Sequence, residues 1–328
     1  MTTSDRVLAL LAEREGGFVS GDALAQSLSL SRSAVWKAVA QLRRAGYDID
    51  AATRRGYCLR AADAVLSEAG IRRHLRHPAL DLRVFDELDS TNAALKRLAE
   101  EGAPEGLALI AEAQTQGRGR MGRSFYSPGQ SGLYLSLLLR PRAGGFSPGA
   151  LTACAAVAVA EAIEAVTGRH AQIKWVNDLL LGGKKVCGIL TEGALDCEAG
   201  RLRYAVLGVG VNVCAPKNGF PDELQTVAGA LFDDDRGAAL RCRLAAEILD
   251  RLWELYVQLP ETGAFWEAYR ARCDLPGKPI HILAPDAPPQ KATALAIAPD
   301  FSLLVELPDG TKQSLRSGEV SVRNAPDA

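Results

Sequence analysis

The run Gln114-Thr115-Gln116-Gly117-Arg118-Gly119-Arg120-Met121-Gly122-Arg123 holds three glycines and three arginines in ten residues, with no acid among them. Glycine removes the Cβ that would keep a backbone away from a ligand and admits positive φ. Arginine supplies fixed positive charge and a fork of donors matched to phosphate or carboxylate. The pattern is not a Walker A loop, because no Gly-Lys-Ser/Thr follows, and it does not open a helix as a dinucleotide fingerprint would. Composition alone leaves two alternatives open, a phosphate-binding loop and a basic surface loop.

Two further segments bear on that choice. Lys174-Trp175-Val176-Asn177-Asp178 ends a short strand in polar residues. Gly182-Gly183-Lys184-Lys185-Val186-Cys187-Gly188 then carries two lysines off a tight turn into an apolar strand. Adjacent strand residues face opposite ways, so only one of Lys184 and Lys185 can look into a site. Ser90-Thr91-Asn92 offers hydroxyls, an amide and helix N-terminal N–H groups to an uncharged polar head group; simple N-capping is the alternative.

These residues need a scaffold, and the pattern supplies one. Strands are predicted over 82–88, 106–113, 132–139, 171–175, 184–192 and 203–212, the last two joined by an acidic exposed hairpin. Helices are predicted over 90–101, 148–166, 237–258 and 261–272. The chemistry-bearing loop thus runs from one strand to another, as a loop mounted on a sheet should. From 277 onward five short strands follow one another, which suggests a small barrel.

The first 62 residues differ in texture. They carry a formal charge of +3 against −1 for the whole chain, an asymmetry that hints at a nucleic-acid module. Helices are expected over 5–15, after Ser20, and from Ser31 to about 45, with Val35, Val39 and Leu42 facing inward. Tyr47 to Leu59 then reads as a hairpin around Arg54-Arg55-Gly56, giving three helices and a wing. Arg32, Ser33, Trp36, Lys37 and Gln41 lie outward on the third helix, a mixture suited to phosphates and base edges. With Arg54 and Arg55 of the wing, Arg32, Ser33, Trp36 and Lys37 are the candidate DNA contacts. A solvated or protein-facing helix is the alternative, and Trp36, large for a groove, has packing on the wing as its other reading.

At 328 residues two or three domains are expected. Seven cysteines, odd in number and without a C-x-x-C pair, argue against a disulfide framework or a Cys-based zinc site, and no metal site of Cys or His type is expected. The N-terminus has no apolar signal core, and the longest apolar runs, 133–139 and 153–160, read as too short to span a bilayer. A cytoplasmic protein is the expectation.

Taken together, Ser90-Thr91-Asn92, the loop 114–123 with Ser127-Pro128 after it, 174–178, 185–190 and 208–212 resemble the biotin protein ligase family, in its bifunctional form that also serves as biotin operon repressor. Residues 317–321 are similar to that family's C-terminal barrel. The resemblance covers essentially the full length. It implies an α+β multidomain fold: a winged helix-turn-helix over 1–62, a class II synthetase-like α/β catalytic domain with a mixed sheet over 63–272, and a small SH3-like β-barrel over 273–328.

The activity implied is formation of biotinyl-5′-AMP from biotin and ATP with Mg²⁺, then transfer of biotin to a lysine of a biotin carboxyl carrier protein. By position, the resemblance gives Ser90, Thr91, Asn92 and Gln114 to the ureido end of biotin. It gives Arg118, Gly119 and Arg120 to a loop over the ligand, and Lys185, beside Gly188, to the carboxyl and phosphate. Arg118, Arg120 and Lys185 would carry the charge neutralisation, while Phe125, Asn177 and Asn212 would lie near the adenylate. Phe125 stands where the family often has Trp. Val176 replaces a usual Pro, so a looser 176–178 corner is expected. A homodimer formed on adenylate binding, two-fold operator DNA and no membrane are the implied partners. Two rivals stand beside this reading: a ligand-sensing transcription factor with an inactive body, and a lipoate- or octanoyl-type transferase on the same fold.

Overall fold

The computed structural model describes residues 2–14, 16–44, 46–59, 65–141, 148–196, 201–259, 263–284, 287–316 and 321–324. Three expectations lie outside these residues in whole or part: the exposed hairpin at 197–200, the 62 boundary, and the barrel signature at 317–320.

The head opens with α1 (Thr3–Ala12), capped by a reciprocal Thr2–Asp5 box. It continues with α2 (Gly21–Leu28), capped by Ser20, and α3 (Arg32–Arg44), whose Ala34 N–H donates to Ser31 Oγ at 3.1 Å. The helices bury Val7, Leu11, Leu24, Val35, Val39 and Leu42 against one another. The wing is β1 (Ile49–Ala52) paired antiparallel with β2 (Gly56–Leu59). Its turn needs glycine: Gly56 has φ +98°, and a Cβ there would lie 2.1 Å from the Val19 carbonyl oxygen. A short helix, α4 (Glu68–Arg72), joins head to body.

The body is a seven-stranded mixed sheet: β3 (Asp81–Leu88), β4 (Leu107–Gln114), β5 (Gly132–Leu139), β6 (Gln172–Lys174), β7 (Asp178–Leu181), β8 (Lys184–Asp196) and β9 (Arg201–Asn212). The spatial order is β3-β4-β5-β9-β8-β7-β6. Among the described residues of this sheet only the β3–β4 pair is parallel; the other pairs are antiparallel. Period-two alternation divides the faces. Leu133, Leu135, Leu137, Val209 and Val211 pack under α6 (Pro148–Thr167), α7 (Arg241–Val257) and α8 (Gly263–Arg272). On the other face, Leu109, Leu138 and Val206 pack under α5 (Thr91–Glu100).

β7 was not expected, nor was α4. The membrane expectation also needs correction. Gly149–Thr167 is long and apolar enough to cross a bilayer, but 67% of that span is buried against the protein. Its small residues let it lie flat on the sheet as a core helix.

The last five strands are β10 (Pro279–Leu283), β11 (Gln290–Ile297), β12 (Leu303–Glu306), β13 (Lys312–Leu315) and β14 (Ser321–Asn324). They form an antiparallel sheet of order β13-β12-β11-β10-β14. Among the described residues β13 and β14 are its two edges, and no pairing between them closes a barrel.

Candidate functional site

Eleven of the twelve body residues singled out from the sequence line one cleft: Ser90, Thr91, Asn92, Gln114, Arg118, Gly119, Arg120, Phe125, Asn177, Lys185 and Gly188. Asn212 does not. Its amide donates to the Gly229 carbonyl at 2.9 Å, and it lines a neighbouring cavity of about 100 Å³. Phe125 and Lys185 belong to both spaces and stand between them.

The floor is a sheet surface opened by glycines. On the α5 face, β8 presents Gly188, and β9 presents Gly208 and Gly210. A Cβ on Gly208 would lie 2.1 Å from Asn92 Oδ1, and one on Gly210 would lie 2.6 Å from the Phe125 ring. Only glycine admits both neighbours, and glycine inside a strand marks close approach of another group.

One end of the cleft is a hydrogen-bonded polar cluster. Thr91 donates to Gln114 Oε1 through its backbone N–H at 2.9 Å and its hydroxyl at 3.1 Å. Gln114 Nε2 donates to Ser127 Oγ at 3.0 Å, and Ser127 Oγ donates to the Phe125 carbonyl at 3.0 Å. Beneath them the wholly buried Ser136 hydroxyl sits 2.7 Å from Thr91 Oγ1 and 2.6 Å from Asn92 Oδ1. Asn92 Nδ2 in turn donates to Glu192 and to the Leu190 carbonyl. Ser90 faces this end but acts as the N-cap of α5. The capping alternative therefore describes Ser90, while Thr91 and Asn92 turn their polar groups into the cluster.

The other end is charged. Lys185 Nζ lies 2.7 Å from Asp178 Oδ1 and 6.0 Å from the Phe125 ring centroid. Lys184 points away, toward the Gln225 carbonyl, so the expected division of the two lysines holds. Arg120 donates to Asn177 Oδ1 at 3.1 Å. Burial pulls its guanidinium below the usual arginine range and Arg123 adds to that, while Asp178 opposes it; arginine nonetheless stays charged at neutral pH. Arg118 is more exposed and lies 3.8 Å from Glu192, which also holds Lys96 at 2.9 Å. Burial raises the Glu192 carboxyl, but hydrogen bonds from Asn92 and Lys96 and the charges of Lys96 and Arg118 outweigh it. The group therefore sits below the ordinary glutamate value.

The arginine loop is built, not merely flexible. Phe125 N–H donates to the Gly117 carbonyl and Gly119 N–H to the Arg123 carbonyl, folding the loop back on itself. A Cβ on Gly117 would lie 2.3 Å from the Phe125 carbonyl oxygen. The tip is a 3₁₀ turn with Met121 and Gly122 at positive φ. Glu112 anchors the returning chain: it accepts from Gln130 N–H and pairs with the buried Arg241 at 2.6 Å.

The 176–178 corner is not loose. Val176 is wholly buried, and its carbonyl accepts from the Tyr269 hydroxyl at 3.3 Å. Trp175 Nε1 donates to the Phe301 carbonyl at 2.9 Å, and the Trp175–Val176 peptide is cis. Packing from α8 and the C-terminal sheet replaces the constraint a proline ring would give.

The enclosed space is about 50 Å³, small against the roughly 300–1,000 Å³ of ligand pockets. The polar groups satisfy one another, and Phe125 and Lys185 lie close over the floor glycines. Sequence reasoning missed Ser136 and Glu192, and it named Asp178, Gly208 and Gly210 only within the segments 174–178 and 208–212, without a role. The alternating Gly-Val-Gly-Val at 208–211 was the available signal for the two glycines.

In the head, Arg32 pairs with Asp22, and the Arg55 guanidinium sits 4.1 Å over the Phe18 ring. Ser33 shares a hydrogen bond with Ser31. Lys37 and Arg54 are exposed, and so is Trp36.

Residues 84–212 match the biotin/lipoate A/B protein ligase family, and residues 4–58 match an HTH domain. The bifunctional ligase/repressor BirA of Bacillus subtilis (strain 168) is 40% identical over 227 residues, 69% of each chain. The protein of the same name from Salmonella typhimurium is 29% identical over 323 residues, 97% of each. Among solved structures, the biotin protein ligase from Aquifex aeolicus in complex with biotin and ATP superposes with a TM-score of 0.61 at 27% identity. It covers 75% of this chain and 99% of that one. This chain belongs to the biotin protein ligase family, in the bifunctional form that joins a helix-turn-helix head to the ligase body.

Proposed function

We propose that the protein is an ATP-dependent biotin ligase that makes biotinyl-5′-AMP, passes biotin to a lysine of a biotin carboxyl carrier protein, and represses transcription through its head. The observation that carries the choice of acid is the polar cluster of Thr91, Asn92 and Gln114 with Ser136 beneath. A ureido group exchanges donors and acceptors with such a cluster. A lipoyl dithiolane offers none and could enter only by breaking the cluster's internal hydrogen bonds without replacing them, which a site built for hydrogen bonding disfavours.

In the first step a biotin carboxylate oxygen attacks the α-phosphorus of ATP. The new O–P bond forms as the Pα–O–Pβ bond breaks, and pyrophosphate leaves. Lys185 and Arg120 stand at the charged end, where positioning and charge neutralisation are what phosphoryl-type transfer asks of a protein. Arg118 and Gly119 cover the ligand. The neighbouring cavity, with Phe125 on one side and Leu224 and Val227 on the other, takes the adenine, and Asn212 faces it. Magnesium fits the corner: Asp178 supplies a hard oxygen donor, and this ion commonly takes one or two carboxylates plus phosphates. Bound there, it would neutralise phosphate charge. In the second step the carrier lysine's amine attacks the acyl carbon. The amide bond forms, the C–O bond to phosphate breaks, AMP leaves, and the lysine proton passes to solvent.

The same reading divides the chain at about 62 and 272, takes the C-terminal sheet as an SH3-like barrel, and places the protein in the cytoplasm. It expects adenylate binding to order the arginine loop and favour a homodimer on a two-fold operator. Incubation with biotin, MgATP and an isolated carrier domain tests the ligase: mass spectrometry should find one biotinyl-lysine on the carrier. Labelling by lipoate in place of biotin would reverse the assignment.

A further inference from the structure

Trp36 is an exposed indole on a helix that does not need it. Its side chain is 63% exposed, while the inward stripe of α3 is complete without it in Val35, Ala38, Val39 and Leu42. Trp36 shares the outward face with Ser33 and Lys37, both exposed. Leaving so much apolar area in water is unfavourable in proportion to that area.

The surrounding charges limit what can cover it. Arg32, the most obvious phosphate contact on α3, is paired with Asp22. Arg43 donates to the Ile49 carbonyl at 2.8 Å and so fastens α3 to the wing. Arg55 lies on the Phe18 ring. Lys37 on the helix and Arg54 at the wing tip, where φ is +65°, stay exposed and cationic. An apolar plate beside Lys37 on the outward face of α3, in a head whose wing tip is also cationic, complements a polyanion with apolar patches better than it complements a neutral protein surface.

We propose that Trp36 reads thymine in the major groove, with the indole face against the C5 methyl group and Nε1–H toward O4. The proposal rests on the reading of the head as a DNA-binding module and adds to it a base preference. It follows from matching inventories. Indole has a broad apolar face, a single donor and no acceptor. In the major groove guanine shows two acceptors and no apolar group, cytosine shows a donor that indole cannot accept, and adenine shows a donor beside an acceptor. Thymine alone shows one acceptor beside a methyl group. Lys37 and Arg54 then contact phosphates, which fix position and carry no sequence information.

The test uses the full-length protein with biotin and MgATP present. Duplexes are selected from a randomised pool, and the affinity of the best one is measured by fluorescence anisotropy. Each dT in it is then replaced by dU, which deletes only the methyl group. At one thymine per half-site, dU should weaken the unmutated protein about fourfold, the equivalent of one buried methyl. Trp36→Ala should bind more weakly and no longer distinguish dT from dU. Trp36→Phe, which keeps an apolar ring, should keep the distinction. Lys37→Ala should weaken all duplexes alike and flatten the salt dependence. Circular dichroism establishes that each variant is folded. Equal binding of dT and dU duplexes by the unmutated protein overturns the proposal, as does full discrimination by Trp36→Ala. So does a Trp36→Ala variant that binds DNA normally but changes its self-association in sedimentation, which would make Trp36 a protein contact. Failure to select any duplex overturns the DNA-binding reading itself, a result distinct from the others.

Discussion

Lys185 Nζ and Asp178 Oδ1 stand 2.7 Å apart at the charged end of the cleft, the lysine on β8 and the carboxylate at the first residue of β7. On the proposed reading, the pair aims a cation at the phosphates of ATP and sets a carboxylate where magnesium would bind. Lys185→Met should lower biotin-dependent pyrophosphate exchange by roughly 10²–10³-fold, the usual cost of removing a group that stabilises developing charge. Lys184→Met, whose parent side chain leaves the opposite face of the strand, should leave the rate close to that of the unmutated protein. Steady-state exchange assays on the two variants make the comparison.

Arg120 is the better buried arginine of the loop and the one tied to the Asn177 corner, whereas Arg118 is half exposed beside Glu192. Arg120→Gly should therefore loosen the adenylate more than Arg118→Gly does. Both should release biotinyl-5′-AMP and biotinylate bystander lysines on albumin added to the assay, with Arg120→Gly the leakier. Equal retention by Arg120→Gly and the unmutated enzyme would remove Arg120 from the clamp.

Two of the three floor glycines should separate the substrates. A Cβ on Gly208 meets Asn92, and one on Gly210 meets Phe125. Overpacking of this kind costs about 1–3 kcal/mol. Gly208→Ala should raise KM for biotin roughly tenfold or more with little change for ATP. Gly210→Ala should do the reverse. Initial-rate measurements varying one substrate at a time would show the split.

Buried thiols set an alkaline limit on stability. Burial pushes the Cys154 thiol up to about 12 and Cys273 up to about 11, against an ordinary 9.0; Cys187 is raised in the same way. In the unfolded chain these thiols lose protons near pH 9 while the folded protein keeps them. Their contribution to stability is thus complete below pH 9 and is lost as pH rises from about 9 toward 12. Urea midpoints should fall across that range, and at pH 7.5 Ellman's reagent should react slowly with the native protein and quickly in denaturant. Cys154→Ala should reduce the alkaline slope.

Much of this was legible in the sequence because it is local. Caps at Ser20, Ser31 and Ser90, the apolar stripe of α3 and the glycine-arginine loop all depend on residues close along the chain. What escaped depends on distant partners. Ser136 reads as a small residue in an apolar strand until α5 docks above it. Glu192 reads as a surface acid until Lys96 and Arg118 meet it. β7 is four residues between a polar corner and a glycine turn, too short for a periodic signal. The 176–178 corner was expected to loosen for want of proline. Its support comes from Tyr269 and Phe301, about a hundred residues later, and pattern reading does not reach so far.

Activation of biotin in this cleft is read by pyrophosphate exchange. Labelled pyrophosphate should enter ATP only when biotin, ATP and magnesium are all present, and lipoate should not replace biotin. Exchange driven by lipoate and not by biotin would show that the cleft does not activate biotin, and exchange that persists at full rate in Lys185→Met would remove Lys185 from the chemistry.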